Sequence, residues 1–252
     1  ILAEALSGAD LAVLVGCLGG RAGMEILPAL FGLVSRLEIP CLAVVTLPYE
    51  FEGRSRSQRA ENALRALKTA GAAMIIVPCD KLLETASLAT SMKNAFELAD
   101  TAILEAARSV IDLVSRGGRV EMDRRSLKVL FKDLGPAYLG MGAASGKYGV
   151  REAVQKAVFG PLLIDHPLEN AGTVFVRISS GDDLSVHEIA RASQDLHHLA
   201  SSKTEIILRT VIDPGLRKKV KATLVVGNLE PDGDEGVHRA ATPGRTLRPE
   251  RR

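Results

Sequence analysis

Three short and almost unbroken apolar runs, 11–16 (LAVLVG), 41–46 (CLAVVT) and 73–77 (AMIIV), constrain the fold of this chain more than any other feature. A strand with one wet face alternates apolar and polar residues, whereas a strand covered on both faces reads as a continuous run. Such strands belong to a parallel sheet, and parallel neighbours need a crossover element between them. Both intervals supply one: 23–37 and 55–70 carry apolar residues at helical spacing, the second with a polar opposite face. That alternation predicts a doubly wound α/β unit. Further on, Ile103, Ala107, Val110, Ile111 and Val114 form one apolar stripe, which predicts a long helix over 95–114 that Gly117 and Gly118 end.

After that break the order of elements changes. Helices are expected at about 150–158 and 186–199 and strands at 173–178, 205–211 and 219–226, an α+β arrangement without internal repeats. Residues 227–252 contain Pro231, Pro243 and Pro249, an acidic patch at Asp232, Asp234 and Glu235, and five arginines without apolar periodicity. They read as a disordered tail.

Composition narrows the function classes. The 252 residues are 46% hydrophobic and 25% charged, as in a globular protein, and 32 Lys and Arg against 30 Asp and Glu leave a net charge of +2. That balance gives no general attraction to nucleic acid or anionic membrane. No apolar run approaches the roughly 18–20 residues that span a bilayer, and the start ILAEALSGAD lacks a basic n-region and a cleavage site, so insertion and secretion are not expected. The chain begins at Ile1 without a Met, which fits a fragment or a processed chain. Cys17, Cys41 and Cys79 are odd in number and far apart; they fit a reducing compartment and read as small apolar core residues.

Several segments invite a chemical reading. The first βα turn, Val15 to Glu25 (VGCLGGRAGME), puts glycines where a parallel strand hands over to a helix, a place where exposed amides and the helix N-terminus favour an anion. A tight turn in an ordinary α/β protein would look the same. Gly140 to Tyr148 also carries glycines, but Met141 stands where a Walker loop needs its first glycine and Tyr148 where it needs Ser or Thr. A bend between a strand and the helix near Val150 is expected there. His166, His187, His197, His198 and His238 show no metal-ligand spacing, and no metal site is expected. Neither G-x-S-x-G nor HExxH occurs. Glu121 to Arg125 reads as a charged connecting loop.

Taken in order, several segments resemble FtsZ, the bacterial tubulin homologue family. Gly8 to Pro28 resembles its strand, glycine loop (GGGTGTG) and helix; Val44 to Arg56 (VVTLPYEFEGRSR) resembles VVTKPFxFEGxxR; Ile76 to Leu83 resembles IPNDKLL. Ala95 to Asp100 is similar to AFxxAD, Gly140 to Gly146 to MGxGxASG, and Gly160 to Leu163 to the SPLL turn. The resemblance covers roughly 4–226. It implies a tubulin/FtsZ-like α/β fold: an incomplete, doubly wound GTPase domain at 1–99, a central helix and catalytic-type loop at 100–123, an α+β C-terminal domain at 124–226, and the tail at 227–252.

The same resemblance implies GTP or GDP as ligand, with Mg²⁺ as its companion left open. Its glycine loop falls on Gly19, Gly20, Arg21, Ala22, Gly23, Met24 and Glu25, so both threonines are replaced. A carboxylate at Glu25 beside a phosphate costs on the order of 1 to a few kcal/mol in partly buried surroundings, with Arg21 placed to offset it. Glu52 and Arg56 keep the positions that meet ribose and phosphate in the family, and Phe96 the one that packs on guanine. Thr101 stands where the guanine-reading Asp would be, with Asp100 next to it as a substitute. The family's catalytic loop N-x-D-x-x-D, which acts on the neighbouring subunit's nucleotide, is filled by Glu121, Asp123 and Ser126. A serine is a poor general base at neutral pH, while Arg124 and Arg125 could contact a neighbour's γ-phosphate. The resemblance therefore implies a bacterial cytoplasmic, cytoskeletal cell-division protein that assembles head-to-tail with weak or lost hydrolysis. The division site and tail-bound division proteins are left open as its location and partners. Two other readings stay open: a noncatalytic modulator of conventional FtsZ filaments, and a nucleotide-dependent metabolic enzyme.

Overall fold

The computed structural model describes residues 4, 6, 8–87, 89–114, 124–146, 148–163, 165, 168–181 and 184–229. Its first three strands, β1 (Ala12–Cys17), β2 (Cys41–Leu47) and β3 (Ala73–Pro78), match the three apolar runs to within one residue and pair in parallel. The crossovers are α1 (Arg21–Arg36) and α2 (Arg54–Thr69). Leu27, Phe31 and Val34 of α1 and Ala60, Leu64 and Leu67 of α2 pack on the same sheet face, against Ala43, Val45, Met74 and Ile76. A short α3 (Cys79–Leu83) leads to the central helix α4 (Met92–Val114), whose Ala99, Ala102, Ile103 and Ala106 cover the other face with Leu127, Leu130 and Phe131 of α5 (Arg124–Leu134).

Two segments differ from the sequence reading. The expected charged loop at 121–125 gives way at Arg124 to α5, whose apolar residues at 127, 130, 131 and 134 make it a core helix. The expected bend at 140–146 is instead the body of a strand, β4 (Pro136–Ser145), and only Gly146, at φ +91°, turns the chain. Gly140 and Gly142 are needed because α6 (Gly149–Val158) lies directly on β4: a Cβ at either position would enter the van der Waals shell of an α6 carbonyl oxygen.

The chain continues through β5 (Ala171–Ser180), α7 (Val186–Leu199), β6 (Glu205–Ile212) and β7 (Lys219–Leu229). Ser185 caps α7 by accepting from the His187 N–H, with Glu188 answering back to the Ser185 N–H. All seven strands form one sheet in the order β1-β2-β3-β4-β7-β5-β6. β4 joins its halves, pairing in parallel with β3 over 136–138 and antiparallel with β7 over 138–145. β7 runs three residues into the expected tail, with Leu229 opposite Ala171. Residues 230–252, and with them His238 and the tail arginines, lie outside the described residues. Among those described, no helix is long and apolar enough to cross a membrane. Of the cysteines, Cys41 and Cys79 are core residues as expected; Cys17 is exposed because it ends the edge strand β1.

Candidate functional site

The carboxyl ends of β1, β2 and β3 open onto one edge of the sheet, where ligands of doubly wound folds bind. At the end of β1, the Leu18 N–H donates to the Thr46 carbonyl at 2.9 Å, tying the first turn to β2. Gly19 adopts φ +92°, and a Cβ there would stand 2.8 Å from the Arg56 carbonyl oxygen, so this turn lies against the start of α2. Gly23 lets α1 press on the end of β1: a Cβ would collide with the Cys17 carbonyl. Gly20 caps α1 with extended backbone and no side-chain hydrogen bond. The first N–H groups of a 16-residue helix thus face the opening without a protein acceptor from its cap, the arrangement that receives a phosphate. Arg21 and Ala22 are exposed at its start and Met24 is half-buried. Glu25 is the fifth residue of α1 and exposed, one turn beyond the capping amides rather than among them.

After β2 the chain turns through a 3₁₀ segment, Glu50–Glu52, and Gly53 at φ +97° starts α2. Tyr49 is fully buried and donates its hydroxyl to the Ala95 carbonyl at 2.5 Å, fixing the first turns of α4 against this loop. Its ring stacks on Phe51 at 4.9 Å and meets the edge of Phe96 at 5.7 Å. Phe51 and Phe96 are themselves 6.2 Å apart and 51% and 41% exposed, so two aromatic surfaces on a fixed base remain open to a planar group. Glu52 accepts from the Tyr49 N–H at 2.9 Å through one oxygen and pairs with Arg56 through the other. A ligand anion therefore competes with Glu52 for the Arg56 guanidinium.

Electrostatics here is unfavourable to further negative charge inside the protein. Burial pushes the Tyr49 hydroxyl up to about 12, reinforced by Cys79, Asp80, Glu52 and Asp100. Burial likewise pushes the Cys79 thiol up to about 12, so it is a neutral core group and no nucleophile. The Asp80 carboxyl is raised above its ordinary value, first by desolvation and then by Glu50 and Glu52, although it accepts from the Glu50 N–H at 2.9 Å. A carboxyl with a higher value folded than unfolded binds its proton more tightly when folded, so it lowers stability once pH exceeds that value. Asp80→Asn keeps the acceptor and removes the charge. Thermal melts should show the variant more stable than wild type at pH 7, with the difference shrinking as pH falls through the carboxylate range; a constant difference would assign the effect to packing.

The remaining candidates fall in three places. Asp100 lies near Tyr49, on the side of α4 that carries Phe96. Thr101 is turned elsewhere: its hydroxyl donates to the Glu97 carbonyl at 2.8 Å, and with Glu105 it lines a cleft of about 280 Å³ walled by Met141, Leu162 and Thr223. At the other end of α4, Ser126 is exposed on the first turn of α5 beside exposed Arg125, while Glu121 and Asp123 lie outside the described residues. From Phe96 to Val114 the helix rises about 27 Å. The aromatic platform and the segment around Ser126 therefore cannot act on one small ligand within one chain. Tyr49, Phe51 and Asp80 carry no signal as single residues; the run Tyr49-Glu50-Phe51-Glu52 directly after a buried strand, at the edge where ligands bind, marks the first two, and Asp80 follows the end of β3 at the same edge.

Comparison with known proteins bears on the fold and the family. The family model described as "FtsZ family, C-terminal domain" matches residues 135–230. The cell division protein FtsZ of Coxiella burnetii is 32% identical over 246 residues, covering 98% of this chain and 62% of that protein. FtsZ of Pseudomonas aeruginosa is 33% identical, covering 90% and 58%. This chain thus spans about 60% of the length of the curated relatives it matches. Among solved structures, an empty FtsZ dimer from M. jannaschii superposes with a TM-score of 0.82 at 26% identity, covering 89% of this chain and 65% of that one. A CetZ from Methanosaeta thermophila shares the fold at a TM-score of 0.71 and 19% identity.

Proposed function

As the chain is a relative of FtsZ and carries that family's C-terminal domain, we propose that it binds GTP or GDP at the carboxyl edge of β1–β3 and assembles head-to-tail in bacterial cell division, with weak or lost hydrolysis. The observation that carries this reading is the separation along α4. A base-sized aromatic platform and an uncapped helix start sit at one end, whereas Ser126, on the first turn of α5, follows Arg125, which lies beside Glu38 away from both, so a complete site needs two copies.

In this reading Phe51 and Phe96 hold the base by stacking, Asp100 accepts from its edge, and the open amides of α1 with Arg56 hold phosphate oxygens. The end of Arg56 must leave Glu52, which then accepts from the ribose. Asp123 and Glu121 of the next copy orient water, Arg125 balances charge on the transferring group, and Ser126 cannot take up a proton as a carboxylate would. Among the described residues no group of three or more His, Cys, Asp or Glu side chains could hold a metal ion.

Two measurements test the reading. Thermal shift against GTP, GDP and NAD should show stabilisation by the guanine nucleotides, and Phe96→Ala should weaken GDP binding about tenfold, since base–aromatic stacking is worth about 1–3 kcal/mol. Preference for NAD would replace the reading with the metabolic one. Phosphate release from GTP under conditions that promote light scattering should stay near background; brisk turnover abolished by Asp123→Ala would show that the remaining carboxylates suffice.

A further inference from the structure

Arg59, on the second turn of α2, is half-buried, and its Nε is sealed from water with no acceptor among the described residues. An unpaired buried donor lowers stability, and in a native fold it marks strain or a partner that has yet to arrive. The acidic residues nearest to it on the chain are already engaged. Glu52 holds Arg56, and Glu61 is met by Gln58 at 3.3 Å and by Arg65 at 3.6 Å.

The place of Arg59 in the fold says what the missing partner is. Arg56, Arg59 and Ala63 follow one another at steps of three and four, so they form one row along α2. At Arg56 this row meets the first βα turn, since a Cβ on Gly19 would stand 2.8 Å from the Arg56 carbonyl oxygen. At Ala63 it joins the cluster that holds Leu27 and Phe31 of α1. Arg59 thus stands between the turn that opens α1 and the body of that helix. Helix side chains lean toward the N-terminal end of their own helix, and α2 begins at the carboxyl edge of the sheet, directly after the 3₁₀ segment that follows β2. The Arg59 side chain therefore leans toward the edge at which the first amides of α1 have no side-chain cap. An anion there would meet both. Arg56 must break with Glu52 before it can hold that anion, whereas Arg59 gives up nothing.

We propose that Arg59 is a phosphate-binding residue of this edge, its guanidinium donating to phosphate oxygens of a nucleoside di- or triphosphate whose other oxygens meet the α1 amides. The role rests on the nucleotide reading above and adds to it a cation that is unpaired before the ligand arrives.

The test is titration calorimetry of GDP and of inorganic pyrophosphate against the full chain and its Arg59→Met, Arg59→Lys and Phe96→Ala variants. Met keeps the apolar stem and removes the charge. Arg59→Met should weaken GDP and pyrophosphate alike, by roughly tenfold or more, and Arg59→Lys should recover part of that loss. Phe96→Ala should weaken GDP and leave pyrophosphate unchanged. Without ligand, Arg59→Met should melt no lower than wild type, because it removes a donor that has no acceptor. GDP affinity equal in wild type and Arg59→Met overturns the proposal and leaves the nucleotide reading standing. A ligand-free Arg59→Met that melts several degrees below wild type also overturns it, since the side chain then serves packing. Pyrophosphate bound by wild type and lost in Arg59→Met, with GDP held no more tightly and Phe96→Ala without effect, upholds Arg59 as an anion ligand and overturns the guanine reading instead. A wild-type chain that binds neither GDP nor pyrophosphate overturns both.

Discussion

Arg177→Met should lower the melting temperature by on the order of 10 °C, one of the two largest single-residue effects expected in this protein. Arg177 extends from β5 toward α4 with 13% of its side chain exposed, donating to Asp112 at 2.6 Å and to Glu105 at 3.1 Å, itself 11% exposed. Lys221 reaches the other Glu105 oxygen at 3.5 Å and Arg108 stands at 3.9 Å, but both are largely wet. Removing the guanidinium leaves Glu105, 11% exposed, with only those weaker partners. Breaking a pair of this kind costs about 3–5 kcal/mol, most of it the cost of the carboxylate left behind. That account makes a second, opposite demand. Arg177→Met combined with Glu105→Leu and Asp112→Leu should recover most of the loss, since no buried charge remains. A single variant melting within about 2 °C of wild type, or a triple variant no better than the single, would show that the network is solvated and contributes little.

Gly142→Val should be comparably severe, for a steric reason. A Cβ there would collide with the Ala153 carbonyl oxygen and stand 2.7 Å from the Ala157 amide nitrogen, both of them helix backbone that cannot rotate away. α6 must lift from β4, which opens the packing of Ala153, Val154 and Ala157 against Val174, Val176, Leu224 and Val226. Overpacking typically costs about 1–3 kcal/mol, and the upper end or beyond is expected where backbone is the obstacle. Gly20→Val is the control, because nothing lies within 4 Å of a Cβ built there. Urea unfolding of the two variants should separate them clearly; equal midpoints would mean that α6 shifts at little cost.

These glycines also explain where sequence reasoning stopped. β2 and β3 were legible because burial on both faces leaves a nearly unbroken apolar run, which β1 shares although, at the edge of the sheet, it is only partly buried, and α2 and α4 because a stripe of alanine, leucine and isoleucine repeats along them. β4 was not, since Gly140, Gly142 and Gly146 read as turn punctuation, whereas the first two serve the approach of a helix that lies beyond them in sequence. α5 was hidden behind Arg124 and Arg125, whose charges suit an exposed helix start as well as a loop. In the candidate site, the ordered motifs found the glycine turn, Glu52, Arg56 and Phe96. They did not reveal that Glu52 and Arg56 already bind one another, nor that Thr101 faces the cleft with Glu105, because pairing and side-chain direction depend on contacts between distant segments.

The shared strand β4 also sets the order in which the protein can be made. Its first three residues find β3 already synthesised, but its remaining length must wait for β7, about 75 residues later in the chain. At ordinary translation rates of about 5–20 residues per second, that leaves an unpaired stretch ending in Ala143-Ala144-Ser145 for roughly 4 to 15 s on the ribosome. Two glycines and no β-branched residue in Leu139 to Ser145 make that stretch a poor template for pairing between nascent chains. The same small residues that admit α6 in the finished protein thus protect the half-made one from its neighbours.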